Sequence, residues 1–575
     1  MTSMPNSLLK ARDPEVLAAL RDRFGWDDYQ GLQEAAIDGV LAGRDGLLTL
    51  PTGAGKSLVY QLPAVVLPGL TLVVSPLIAL MQDQVQALKA KGIRAEFVNS
   101  TLSRAVRLQR LDAACAGKLD LLYVTPERFR SVDFKEREGR LHLSLLAIDE
   151  AHCVSQWGHD FRPDYSRLAG VRERLGNPPT VALTATATPQ VAEDIVTSLA
   201  LKDPWVLRAG IERSNLFLAS HPVFTSDEKL DHLVRRIQSL SGPGIVYSAL
   251  IKDLEALHVE LRRRGIKSLV YHGRLSVEER RAMQEEFMAS EDALVLATNA
   301  FGMGIDKANI RFVLHAQIPR TLEAWTQEVG RAGRDGKPSF CEVVYLQEDL
   351  AIQQNFINWA NPSLEYVVGV YEVLRGWGER LQARDLDDLR AELLVKERRD
   401  GRIGIVMRWF EVLGVTYGSF EEHNLRLNRE LDLDELPAFL GSGEKRQSDL
   451  KGLLTMVRFA GESEDCRRRS LAQHFSLAEP EVPCPGCDVC GDPDVYLAGH
   501  HSPRREAPAS SESDAAPEAS KGFARGEWVE VGRHLGQVVR VDGSGSRQVL
   551  WVESASDLKR RRVDPKKQQV KKIVT

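Results

Sequence analysis

At 575 residues the chain can hold roughly three to five domains, and its 43% hydrophobic and 27% charged residues read as a soluble globular protein. A net charge of −5 excludes a globally basic nucleic-acid binder, so any such binding must come from local patches. No run approaches a transmembrane length and residues 1–12 lack an apolar signal core, so a cytoplasmic location, with no membrane partner, is expected.

The first notable stretch is Phe24-Gly25-Trp26-Asp27-Asp28-Tyr29, followed by Gln33. An amide carries a donor and an acceptor on one group, so Gln33 is a candidate reader of an adenine edge. Residues 46–57 then read as a short apolar strand, a turn held open by Gly53 and Gly55, and Lys56-Ser57 opening a helix. Glycines let backbone N–H groups close on a polyphosphate, and the helix N-terminus adds a positive dipole end. Thr52, Gly53, Gly55, Lys56 and Ser57 are therefore the expected ATP cradle. Lys56 would reach the β- and γ-phosphates and the Ser57 hydroxyl would take one Mg²⁺ position. Leu50 stands where the general motif has its first glycine.

Two buried-strand patterns follow, Leu70–Val74 and Leu119–Val124, each ending in small hydroxyl residues suited to phosphodiester contacts. A third, Leu143–Ile148, delivers Asp149-Glu150-Ala151-His152. Acids straight after a buried strand are costly unless they serve a cation or chemistry. Asp149 is expected to hold Mg²⁺, Glu150 to orient or deprotonate the attacking water, and His152 to sense the γ-phosphate. Trp157, His159, Phe161 and Arg162 then crowd a segment whose Gly158 and Pro163 fit neither helix nor strand. That pattern predicts an exposed aromatic loop that stacks on bases. Strands and helices alternate again from Ser214 to Leu346 without a second phosphate loop. After the helix Leu322–Val329, Arg331 and Arg334 stand three apart, which predicts one helical face and a γ-phosphate clamp reaching across a cleft.

These motifs together resemble a superfamily 2 helicase, specifically a RecQ-type DNA helicase: Leu-Pro-Thr-Gly-Ala-Gly-Lys-Ser, Asp-Glu-Ala-His, the Gln156–Tyr165 aromatic loop and Gln327–Gly336. The resemblance runs from about Phe24 to Leu346. It implies an α/β fold with two tandem RecA-like lobes gripping ATP, and 3′→5′ translocation on single-stranded or forked DNA in repair and recombination. The family's Cys-x-Ser-Arg is replaced by Ser248-Ala249-Leu250-Ile251, which puts one DNA contact in question.

Cys466, Cys484, Cys487 and Cys490 have the spacing of a tetrahedral Zn²⁺ site and resemble the RecQ zinc subdomain, which is structural in that family. Such clustering among seven cysteines fits a reducing compartment with a metal site better than a disulfide framework. Between lobe and zinc site, two helical patterns precede Val415-Thr416-Tyr417 and Asn424–Leu427, a winged-helix-like order placed before the zinc site rather than after it. Gly499–Lys521 reads as a disordered linker, and Gly526–Val552 as a small SH3- or Tudor-like barrel with a basic tail, Lys559–Lys572, for DNA or a protein partner. No room is left for a helicase-and-ribonuclease-D-type C-terminal domain. The expected division is 1–208 and 209–350 for the lobes, 351–460 helical, 461–498 zinc-binding, 499–521 linker and 522–575 barrel. Two rivals stand beside the helicase: a translocase that does not unwind, and a zinc-stabilised DNA-binding adaptor with a vestigial ATPase.

Overall fold

The computed structural model describes residues 9–158, 160–210, 213–302, 305–395, 400–461 and 464–504, and five strands between 528 and 573. In the first lobe, seven short apolar strands are β1 Gly46–Thr49, β2 Leu70–Val74, β3 Ala95–Val98, β4 Leu121–Val124, β5 Leu143–Ile148, β6 Thr180–Thr184 and β7 Trp205–Arg208. They form one parallel sheet in the order β3-β4-β2-β5-β6-β1-β7. Near-continuous Val, Leu and Ile runs are what a sheet covered by helices on both faces requires. Here β1, β2 and β4 are buried at every position.

The second lobe repeats the plan with β8 Leu216–Val223, β9 Gly244–Tyr247, β10 Leu269–Tyr271, β11 Leu294–Ala297, β12 Phe312–His315 and β13 Ser339–Leu346. Their order is β10-β11-β9-β12-β13-β8, again all parallel. Both lobes are thus of RecA type.

Two helices follow the second lobe: α1 (Leu350–Ala360) and, after a long interval, α2 (Glu444–Gly461). They are tied together by Asn361 Nδ2 donating to Asp449 (2.8 Å) and Arg446 Nε donating to Asn358 (3.0 Å). The interval between them folds as a separate unit. Among the described residues it opens on α3 (Leu364–Trp377), α4 (Leu386–Glu392) and α5 (Arg402–Leu413), continues in an antiparallel hairpin, β14 (Thr416–Tyr417) with β15 (Arg426–Leu427), and ends in a short helical turn, Phe439–Ser442. That is the winged-helix order. Its own core includes Val370, Leu374, Leu389, Ile403, Val406 and Phe410. This winged-helix-like unit therefore lies within the connection between α1 and α2.

Two expectations for the C-terminal region change. The chain past 498 is not yet linker: a helix runs Pro493–His500, and Arg504 donates to the carbonyls of Gly242 (2.7 Å) and Asp292 (2.9 Å) on lobe two. The rest of the expected linker lies outside the described residues. The basic stretch is also not a tail. Arg560–Val563 and Val570–Ile573 are the two outer strands of a five-stranded antiparallel sheet. Among the described residues the strand order sets the first strand, Trp528–Val531, between the second and the last, and the two outer strands do not pair with each other.

Candidate nucleotide site and aromatic loop

In open parallel sheets, ligands sit beyond the carboxyl ends of the strands. β1 ends at Thr49 and the chain turns through Gly53 (φ 86°) and Gly55 (φ 71°), left-handed values that glycine adopts without strain. A side chain at Gly55 would collide with the Gln33 amide, and one at Gly53 would meet Arg334 Cγ at 3.2 Å. Ser57 is the N-cap of the following helix, Leu58–Val66. Lys56 Nζ donates to the carbonyls of Leu50 (3.0 Å) and Pro51 (3.3 Å), folded back over its own loop. Gln33 is buried. Its amide nitrogen donates to Ala54 and Gly55 carbonyls (3.2 Å each) and its oxygen accepts from the Gln30 N–H (2.8 Å). In this conformation Gln33 braces the phosphate loop rather than presenting a free edge.

β5, two strands away from β1, delivers the acids to the same rim. Burial, then the charge of Glu150, pushes the Asp149 carboxyl up to about 7, with Lys56 pulling the other way. Burial likewise lowers the Lys56 ammonium, opposed by Glu150 and Asp149. An acid and an ammonium desolvated together fit a site that receives a metal and a polyphosphate. Glu150 has φ 48°, a strained left-handed backbone for a residue with a side chain, of the kind that concentrates at functional sites. His152 Nδ1 lies 2.9 Å from Thr184 Oγ1 and 3.4 Å from Glu150 Oε2, linking the acids to the end of β6.

The two arginines are not on a helix. The helix Leu322–Val329 stops at Gly330, and residues 330–334 form a turn in which Gly333 has φ 54°. The turn separates the pair. Arg334 lies over Gly53 and pairs with Asp306, whereas Arg331 is buried and donates to the Gly302 carbonyl. A third arginine, invisible to the motif reading, holds the turn. Arg213 donates to Gly333 O (2.7 Å), Ala332 O (3.1 Å), Thr52 O (3.3 Å) and Gly330 O (3.4 Å), bridging the phosphate loop and the arginine turn. All four acceptors are backbone carbonyls, so only the isolated Arg213 marked it in the sequence.

The aromatic loop is not exposed, contrary to expectation. Trp157 is half-buried against the first lobe's core, because Gly158 permits a turn too close to the His152 carbonyl for any side chain. Phe161 stacks on Trp409 of α5 (centroids 6.0 Å, 29°) and meets Phe439 edge-on (5.7 Å, 87°). Arg162 pairs with Asp160 at 2.8 Å, and His159 lies outside the described residues. From the same segment, buried Tyr165 donates its hydroxyl to the Asp149 carbonyl at 3.2 Å. Ser248 and the Ala249 N–H both donate to Gln317 Oε1 (2.6 and 2.8 Å), so the Ser248–Ile251 turn is anchored within its own lobe.

The four cysteines converge. Cys466, Cys484 and Cys487 are buried, Cys490 is partly so, and their sulfurs all lie within 4.8 Å of one another. The Sγ–Sγ separations of 3.4 and 3.9 Å bracket the roughly 3.8 Å that four thiolates about 2.3 Å from one Zn²⁺ would show. The cysteine loop also covers the open edge of lobe two, with Leu218 N–H donating to Gly486 O and Asp488 N–H to Leu218 O (both 3.0 Å).

Residues 30–195 match the DEAD/DEAH box helicase family, 228–336 the helicase conserved C-terminal domain, and 430–491 the RecQ zinc-binding family. The chain is 36% identical to the probable ATP-dependent DNA helicase RecS of Bacillus subtilis over 81% of its own length and 90% of that protein's. It is 42% identical to the ATP-dependent DNA helicase RecQ of the same organism, over 58% of this chain and 56% of that one. Rat ATP-dependent DNA helicase Q5 is 44% identical over 61% of this chain, which spans 38% of that longer protein. The DEAD-box helicase Mss116 bound to ssRNA and UDP-BeF covers 71% of this chain and 90% of its own with a TM-score of 0.50; at 16% identity this speaks for the fold alone. Among the described residues no helix is long and apolar enough to cross a membrane. With both lobes, the cysteine cluster and near-full-length similarity to RecS in agreement, the chain belongs to the RecQ-type ATP-dependent DNA helicases.

Proposed function

We propose that the chain hydrolyses ATP to move 3′→5′ along single-stranded DNA and open forked duplexes, in the bacterial cytoplasm or nucleoid. The observation that carries this reading is the convergence of Lys56, Asp149 and Glu150 from one sheet with Arg334 from the other. Thr52, Gly53, Gly55 and Lys56 would cradle the phosphates once Lys56 leaves its carbonyls, and Gln33 would read the adenine on release from the loop. Ser57 and Asp149 would hold Mg²⁺, which supplies charge neutralisation of the phosphates. Glu150 would orient the attacking water, and Arg334, lying over Gly53, would meet the γ-phosphate while Arg331 steadies the turn. Closure and reopening of the lobes would advance the strand. Cys466, Cys484, Cys487 and Cys490 would hold a structural Zn²⁺.

Trp157, Phe161 and Arg162, with His159, would contact the strand. The Tyr165 bond to the Asp149 carbonyl is a short route by which loop movement reaches the catalytic acids. The terminal sheet, with basic outer strands, would add phosphate contacts or dock a protein partner. A second reading, a translocase that unwinds weakly, is favoured by the winged helix lying before the zinc site. Strand displacement from forks bearing a 3′ or a 5′ single-stranded arm, beside single-strand translocation, separates these. Displacement that requires the 3′ arm and ATP is expected. Translocation without displacement supports the second reading, and neither activity would leave only a DNA-binding adaptor.

A further inference from the structure

The inserted winged helix does not have the character of a duplex reader. Residues 364–443 carry 11 Lys and Arg against 16 Asp and Glu, and the loop of its hairpin holds Glu421 and Glu422. Such a surface repels phosphates rather than gathering them. Its third helix, α5, is the element that would enter a groove in a DNA-reading winged helix. Here it is turned onto the first lobe.

The contact is specific. Arg408 on α5 bonds Asp164 at 2.8 Å, and Asp164 also accepts from Arg130 at 2.7 Å. Arg130 reaches back to Glu411 on α5 at 3.1 Å, closing a four-member ion network across the junction. Trp409 stacks on Phe161 and Phe439 meets it at a right angle, so these rings occupy surface that a base would need. A cavity of about 480 Å³ opens beside the three rings, lined also by Arg320, Arg408 and Lys445. Each of those cations already has a carboxylate: Arg408 has Asp164, while Arg320 and Lys445 share Asp449. That pairing argues against a ready-made phosphate seat and for a closed junction. Asp164 is followed directly by Tyr165, whose hydroxyl bonds the Asp149 carbonyl, so the junction lies one residue from a link to the catalytic acid.

We infer that the inserted winged helix is an intramolecular gate on the aromatic loop, with Trp409 and Arg408 as positioning residues that single-stranded DNA must displace before hydrolysis is stimulated. The inference rests on the reading of Phe161 as a strand contact. The test is the ATPase rate of the full chain against concentration of a thymine homopolymer, for Trp409→Ala, Trp409→Phe and Arg408→Glu, with melting temperature measured on each.

A stacked aromatic pair accounts for roughly a two- to tenfold shift in equilibrium. Trp409→Ala should lower the half-stimulating DNA concentration by that factor, with the rate at saturating DNA within about twofold of wild type. Trp409→Phe, which keeps the stack, should restore the original midpoint. Arg408→Glu, which faces Asp164 with a like charge, should lower the midpoint as well, and it decides the matter should Trp409→Ala fold poorly. An unchanged midpoint in well-folded variants overturns the gate. A raised midpoint overturns it too, and marks the three rings as a base platform. Phe161→Ala separates the two layers: retained DNA stimulation there defeats the loop reading itself. Lost stimulation there, together with an unmoved Trp409→Ala midpoint, defeats the gate alone.

Discussion

Arg213→Ala is the most informative single change at the nucleotide site, because Arg213 touches neither acid yet holds the turn that carries Arg331 and Arg334. Its two shorter bonds, to Gly333 O at 2.7 Å and Ala332 O at 3.1 Å, fix the turn, while those to Thr52 O and Gly330 O at 3.3 and 3.4 Å are longer and weaker. Removing a partner from a fully buried group costs about 1–3 kcal/mol; these bonds are only partly buried, and water entering the space recovers part of that. A turn loosened by this amount no longer holds Arg334 over Gly53, and a 1 Å misplacement of a catalytic group costs roughly 10²-fold. The expected result is a fall in kcat of about 10–100-fold on saturating single-stranded DNA, with a smaller change in KM for ATP. Arg213→Lys should lie between, since one ammonium cannot reach carbonyls on both loops as a planar fork does. Steady-state ATPase and melting on the same preparations provide the check. A kcat within twofold of wild type in an Arg213→Ala protein of lowered melting temperature would show that the turn needs no such brace.

Lys56→Ala should abolish ATPase and unwinding together while nucleotide-free DNA binding, measured by anisotropy, survives. Cys487→Ser should lose zinc, measured by metal analysis against the wild type, and lower solubility, because structural zinc contributes on the order of 10–16 kcal/mol in small peptide sites. Zinc-free wild-type protein with four reactive thiols would contradict that assignment. Truncation before Gly522 removes the sheet with basic outer strands. It should leave ATPase on saturating DNA intact but flatten the salt dependence of binding by roughly 0.7–0.9 log units for each phosphate no longer neutralised; an unchanged slope would assign the sheet to a protein partner.

The layout of the first lobe's strand ends was legible because it rests on local rules. Gly53 and Gly55 adopt the left-handed backbone their places in the turn required, even with Leu50 in place of the motif's first glycine. Asp149 and Glu150 follow a strand too apolar to deliver them to solvent by chance. The cysteine spacing likewise found its cluster. What escaped depends on distant partners. Periodicity extended the helix through Arg331 and Arg334, although Gly330 and Gly333 end it in a turn. Arg213 acts through backbone carbonyls, which no side-chain pattern records. Phe161 read as exposed because the rings that cover it, Trp409 and Phe439, come from the insertion far along the chain. The basic segment looked like a tail because lysine and arginine on an outer strand resemble a solvated run.

If the aromatic loop couples strand binding to hydrolysis, Phe161→Ala shows it more cleanly than Trp157→Ala. Trp157 packs on the first lobe's core, so its loss mixes stability with function, whereas the ring partners of Phe161 lie in the insertion. Base stacking contributes roughly 1–3 kcal/mol, while phosphate contacts supply most of the affinity. The decisive measurement is the ratio of ATPase rates with and without saturating single-stranded DNA for Phe161→Ala, normalised to folded protein. The predicted result is a ratio reduced at least fivefold, with DNA affinity changed much less and melting close to wild type. A folded Phe161→Ala protein that keeps the full wild-type ratio would contradict the coupling role.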